Sequence, residues 1–115
     1  MATIKQFDIW LADLNPQFGT ETGKTRPVLI LQTDLLNNRH PSTLICPVTT
    51  NVRRNISILR VNLEVESTGL RHPSAVMIDQ LRAIDNKRLL RKIGSVSNPL
   101  QEKILENIQI VLGIE

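Results

Sequence analysis

Apolar residues along this chain fall in short runs, one of which alternates strictly with polar residues, with one longer stripe at helical spacing near the C-terminus. The clearest run is Leu59, Val61, Leu63 and Val65 alternating with Arg60, Asn62, Glu64 and Glu66, the pattern of a strand with one dry and one wet face. Asp8 to Leu14 reads as a first strand. Asn15-Pro16, Gly19 and Gly23 then mark a polar loop ending near Lys24, and Val28 to Gln32 resumes as a second strand. That loop exceeds the roughly two to five residues of an ordinary hairpin connection, and long loops in small domains usually carry function. Further strands are expected at Thr43–Val48, Ser74–Ile78 and Gln80–Ile84. Short helices are expected at Asp34–Asn38, stopped before Pro41, and at Asn86–Ile93, ended by Gly94. A last helix begins near Asn98, which can cap it, with Pro99 at the first helical position and Gln101 as capping-box partner. Its stripe, Leu100, Ile104, Leu105, Ile108, Val111 and Leu112, is read as core. The sum predicts a mainly β chain with helices, a small curled antiparallel sheet or barrel with helices packed outside.

Composition narrows this picture. A chain of 115 residues with no repeat, low-complexity tract or linker is expected to form one domain over 1–115. Cys46 is the sole cysteine and lies in an apolar run, so it is read as a small buried hydrophobe, and no Cys/His cluster has zinc spacing. No cofactor or metal is expected. No segment approaches the roughly 18 to 20 apolar residues of a membrane helix, and the N-terminus lacks a secretory pattern, so a cytoplasmic protein is expected. The net charge of +3 is modest, but six basic residues fall between Arg71 and Lys92 against Asp79 and Asp85, and Arg53 and Arg54 add a basic loop. Such clustering suits a phosphate backbone, although charge alone favours the plainer reading of a solvated surface.

Candidate chemistry is sparse. Phosphate loops, nucleophile elbows and metalloprotease motifs are absent, and His40 and His72 each precede a proline in an apparent turn, which argues against a histidine acid–base pair. What remains is Gly23-Lys24-Thr25-Arg26-Pro27-Val28, where a polar loop delivers two cations to the mouth of a strand. A guanidinium stays charged at any ordinary pH and presents a planar fork to two phosphate oxygens. An arginine salt-bridged to Asp8, Asp13 or Glu21 is an equal alternative on these residues alone. Aromatics total only Phe7, Trp10 and Phe18, so a multi-base stacking platform is not expected; Trp10 reads as core and Phe18 as the one stacker.

The segments Asp8-Ile9-Trp10-Leu11-Ala12-Asp13-Leu14-Asn15-Pro16, Gly19, Glu21 and Gly23 to Ile30 resemble the PemK/MazF toxin signature. Cys46-Pro47-Val48-Thr49-Thr50-Asn51, Asp79 to Asp85, Arg88-Leu89 and Lys92-Ile93-Gly94 extend the match to the last helix. Phe7 departs from it, standing where a glycine commonly precedes the first strand. The resemblance implies an SH3-like β-barrel with a C-terminal helix and a metal-independent endoribonuclease acting on single-stranded RNA. The reaction it implies is attack by the ribose 2′-OH, leaving a 2′,3′-cyclic phosphate and a 5′-OH. It ties cleavage to Arg26 and Thr49, and points to Phe18, Glu21, Ser74 and Gln80 for holding RNA, beside the basic Lys24 and Arg53. It also implies a homodimer neutralised by a cognate antitoxin. Because the fold is shared with CcdB-type toxins that bind DNA gyrase without cutting RNA, a non-enzymatic gyrase binder is the alternative.

Overall fold

The computed structural model describes residues 3–52 and 58–114. Strands β1 (Asp8–Asp13), β2 (Thr25–Ile30), β3 (Ser42–Thr49) and β4 (Arg60–Leu63) precede a one-turn helix α1 (Val65–Thr68). Strands β5 (Ser74–Met77), β6 (Arg82–Asp85) and β7 (Leu89–Ser95) follow, and helix α2 (Leu100–Leu112) ends the order. The strands form one antiparallel sheet in the order β4-β5-β3-β2-β1-β7, with β6 alongside β3.

Period-two alternation in the central strands makes two cores from one sheet. Ile9, Leu29, Cys46, Val48, Val61, Leu63 and Val76 face one side, where Ile104 of α2 joins them. Trp10, Ala12, Val28, Ile30, Ile45 and Ile84 face the other. The expected curled antiparallel sheet with a C-terminal helix is what forms. Its two ends meet without a ladder: the Gly94 backbone in β7 lies against the Thr68 carbonyl at the end of α1, where a Cβ on Gly94 would fall 1.8 Å from that oxygen. Glycine is required by this close approach.

Several elements differ from the sequence expectation. Asn86–Ile93 is not a helix: Asn86–Arg88 makes a 3-10 turn and Leu89 opens β7, which pairs with β1. Leu89 and Ile93 four apart fit either period, and the long-range partner decides. Asp34–Asn38 is a series of turns, with Asn37 and Asp34 bonded to each other and Asn38 at φ 69. The Leu59–Glu66 run stops being a strand after Leu63: α1 begins at Val65, and Thr68 Oγ1 donates to the Glu64 carbonyl at 2.6 Å. The expected strand Gln80–Ile84 starts at Arg82, after a 3-10 turn over Ile78–Gln80.

At α2 the cap is Pro99, with no side-chain cap bond, and Gln101 Nε2 donates instead to the Val96 carbonyl at 2.8 Å. Of the stripe, Ile104 is buried and Leu100 and Ile108 pack against the core, whereas Leu105, Val111 and Leu112 are exposed. Within the single chain that part of the stripe has no core to reach. No helix among the described residues is long and apolar enough to cross a membrane.

Candidate active site

The loop between β1 and β2 is closed at its base by its own backbone. Leu14 N–H donates to the Lys24 carbonyl at 2.9 Å, and Lys24 N–H to Asn15 Oδ1 at 2.8 Å. From β7's entry, Arg88 Nη1 donates to the carbonyls of Asp13 and Asn15. The tip is a turn in which Glu21 N–H reaches the Phe18 carbonyl at 3.0 Å, with Gly19 at φ 57. Thr22, buried, directs its hydroxyl at Met77 Sδ at 3.8 Å, which lays the returning limb of the loop over β5. Gly23 sits so close to Gln17 that a Cβ would fall 2.5 Å from the Gln17 Cβ.

This closure orients Arg26. The side chain is half-buried on β2, and its Nε donates to the Gly23 carbonyl at 2.9 Å. Because that bond uses only Nε, the two terminal nitrogens stay available as a fork. Among the described residues no carboxylate is paired with Arg26; the ion pairs there are Arg60–Asp79 at 2.9 Å and Lys92–Asp8 at 3.4 Å. The salt-bridge alternative weighed for Arg26 is therefore not what the fold makes.

Arg26 stands opposite Ala12 on β1, while Thr49 is opposite Ala75 on β5 and Ala75 is opposite Asn62 on β4. The β2–β3 ladder runs from Ile30↔Ile45 to Val28↔Pro47, and the same register carried two residues further sets Arg26 level with Thr49. Directly opposed residues share a face. One row across the sheet thus reads Ala12, Arg26, Thr49, Ala75, Asn62. Thr49 Oγ1 accepts the Asn51 N–H at 3.1 Å, so its hydroxyl proton is free to donate elsewhere.

The remaining candidates fall around this row unevenly. Phe18 is 80% exposed at the loop tip, with Glu21 and Lys24 exposed beside it. Gln80, half-buried, ends the 3-10 turn that follows Met77. Ser74 is buried at the start of β5, and its hydroxyl donates to the His72 carbonyl at 2.8 Å, so its donor is already used. Arg53 lies outside the described residues. His40 lies against Ser42 at the opposite end of β3 from Thr49, so it takes no part in the row. Burial, with the Asp79 charge adding to it, pushes the Cys46 thiol up to about 12, which keeps it protonated and inert as a nucleophile. Among the described residues no group of His, Cys, Asp or Glu side chains is arranged to hold a metal ion.

Residues 5–112 match the model of the PemK-like, MazF-like toxins of type II toxin–antitoxin systems. The chain belongs to the PemK/MazF family. It is 31% identical over 111 residues to endoribonuclease EndoA of Bacillus subtilis (strain 168), covering 96% of each chain. It is similar to the solved structure of Mycobacterium tuberculosis toxin MazF-mt6, at 27% identity and TM-score 0.80 over 94% of this chain and 98% of that one. The MazE–MazF structure from Deinococcus radiodurans shares the fold at TM-score 0.79 and 18% identity, each chain covered fully (100%).

Within this PemK/MazF chain, two features of the site were not legible beforehand. Asn62 reads in the sequence only as one wet-face position of a strand, and its alignment with Arg26 and Thr49 needs the register of four strands. Arg82 faces the same side as Ile45, and its Nη1 is buried without a hydrogen-bond partner among the described residues.

Proposed function

We propose that this chain is a toxin endoribonuclease that cleaves single-stranded RNA at a phosphate held by Arg26 and Thr49, inhibiting translation and growth. The carrying observation is Arg26 itself: fixed through Nε to the Gly23 carbonyl, free of carboxylates, and level with a threonine whose hydroxyl proton is uncommitted. In the reaction the 2′-oxygen bonds to phosphorus as the bond to the 5′-oxygen breaks. The 2′-OH loses its proton and the departing 5′-oxygen gains one, leaving a 2′,3′-cyclic phosphate and a 5′-OH. Negative charge grows on the non-bridging oxygens as the phosphorus becomes five-coordinate. A guanidinium fork preset toward them stabilises that charge without reorganising, and the Thr49 hydroxyl donates to the same group. Neither residue is an ordinary proton acceptor at neutral pH, so their work is alignment and charge stabilisation.

In this reading Phe18 stacks on a base, Glu21, Lys24, Arg53 and Gln80 hold neighbouring nucleotides, and Ser74, its donor spent on the His72 carbonyl, contributes to RNA binding only as an acceptor. The relatives named as an endoribonuclease and as a MazE–MazF complex support reading a cognate antitoxin as this chain's partner. Exposed Leu105, Ile110, Val111 and Leu112 on α2 support a homodimer of one-domain chains. The cytoplasm, where messenger RNA is met, is the expected compartment. The gyrase-binding alternative has no observation in its favour.

Incubating purified protein with single-stranded RNA and no added metal tests this reading. Wild type is expected to leave 5′-OH and cyclic phosphate ends. Arg26→Ala is expected to lose on the order of 10²–10³ in kcat/KM while its melting temperature is held. Thr49→Ser keeps activity that Thr49→Val loses. A wild-type protein that leaves the RNA intact overturns the proposal.

A further inference from the structure

At the end of the sheet where Thr49 leaves β3, a cavity of about 440 Å³ opens between that exit and the β4–β5 hairpin. Val52, Val65 and Pro73 give it apolar walls, Asn62, Glu64, Glu66 and Ser74 give it polar groups, and Leu63 lines it while its side chain is buried in the core. Its position is tied to the row already described. Asn62 is opposite Ala75, Ala75 is opposite Thr49, and Val52 lies three residues beyond Thr49. Three strand spacings separate Arg26 from Asn62, about 14 Å at ~4.8 Å each.

Ser74 spends its hydroxyl on the His72 carbonyl, but the side chains of Asn62, Glu64 and Glu66 are unspent among the described residues. Glu64 occupies the N-cap position of α1, yet makes no side-chain cap bond. Asn62 and Glu66 are exposed, and no hydrogen bond or ion pair engages either side chain among the described residues. In a chain of net charge +3, the described residues lining this cavity include two carboxylates and no Lys or Arg. Two carboxylates repel a phosphate. They accept, however, from amino and imino groups on a base edge, and Asn62 can both donate and accept.

We infer that this cavity, read by Asn62 with Glu64, is a specificity pocket for one base of the cleaved RNA, a near neighbour of the scissile phosphate and one bearing an exocyclic amino group. Uracil is disfavoured, because its two carbonyl oxygens would face the carboxylates, leaving only one ring N–H to donate. Apolar walls close over the faces of the base while the polar groups meet its edge, the usual way a splayed single-stranded base is read. The inference rests on the nuclease reading for its placement beside the cut.

Two measurements test it and keep the two readings apart. Wild type, Asn62→Ala and Glu64→Gln are incubated with a randomised single-stranded RNA pool, and the 5′-OH ends are sequenced. Wild type is expected to exclude uracil at one position within a few nucleotides of the cut. Each variant is expected to relax that position about tenfold, keep the preference elsewhere, and retain the wild-type melting temperature. An unchanged profile in both variants overturns the pocket while leaving the nuclease standing. Equilibrium binding of non-cleavable oligonucleotides, 2′-deoxy at the cut and bearing cytosine or uracil at each position in turn, is measured alongside. A cytosine preference that Asn62→Ala abolishes supports the pocket even if wild type cuts nothing. Equal binding of both bases at every position overturns it.

Discussion

Phe7 holds a left-handed backbone, φ 69, a conformation that suits glycine, and it is buried in the core under α2. A non-glycine residue in that region costs about 1–2 kcal/mol, while deleting a buried phenylalanine costs about 3–5 kcal/mol. Packing wins, so Phe7→Gly is expected to destabilise the chain by about 2 kcal/mol, measured by urea unfolding, despite relieving the backbone. Because the strain sits ahead of β1, cleavage by the folded fraction should be unaltered. Cys46 makes a second prediction. Burial holds its thiol up to about 12, against an ordinary value of 9.0. Between those values the folded chain keeps a proton that the unfolded chain releases, so stability is whole below pH 9.0 and falls as pH rises toward 12. Melting curves across that window should show the fall, and Cys46→Ala should flatten it.

Elements were legible where local pattern and long-range partner agreed. β1, β3 and α2 were expected and found, because the apolar runs of the first two are buried on both faces of the sheet and Leu100, Ile104 and Ile108 of the helical stripe meet the core, although Leu105, Val111 and Leu112 of that stripe are exposed. β7 was not, since Leu89, Ile93 and Gly94 also fit a short capped helix; its strand character comes from β1, some eighty residues away in sequence, through pairs such as Asp8↔Ser95. The candidate site divides in the same way. Arg26 was visible from its motif and its charge, and the fold adds what the sequence could not: the Gly23 carbonyl that orients it and the missing carboxylate. Ser74 matched a family position, yet its burial and its bond to His72 are facts of the hairpin turn. Asn62 was invisible as a functional residue because a row across strands is a property of register, which no single strand encodes.

At the scale of the whole molecule, the join between α1 and β7 sets how far the sheet can open. The Gly94 backbone touches the Thr68 carbonyl, and Gly69, at φ 82, would place a Cβ 2.6 Å from the Ile93 carbonyl. Gly94→Val forces these backbones apart and is expected to cost about 3 kcal/mol, read as a lowered melting temperature. The contact also decides how the protein behaves toward its own copies. An unprotected outer strand offers a row of unpaired N–H and C=O groups to any passing chain. Here α1 lies against β7, and from the other end Asn107 of α2 donates to the Ile58 carbonyl just ahead of β4. Prising α1 from β7 would uncover a strand able to template its neighbour, so the Gly94→Val protein should precipitate on gentle warming where the parent stays clear. On this expectation, two glycines at the α1–β7 join guard the solubility of the whole chain.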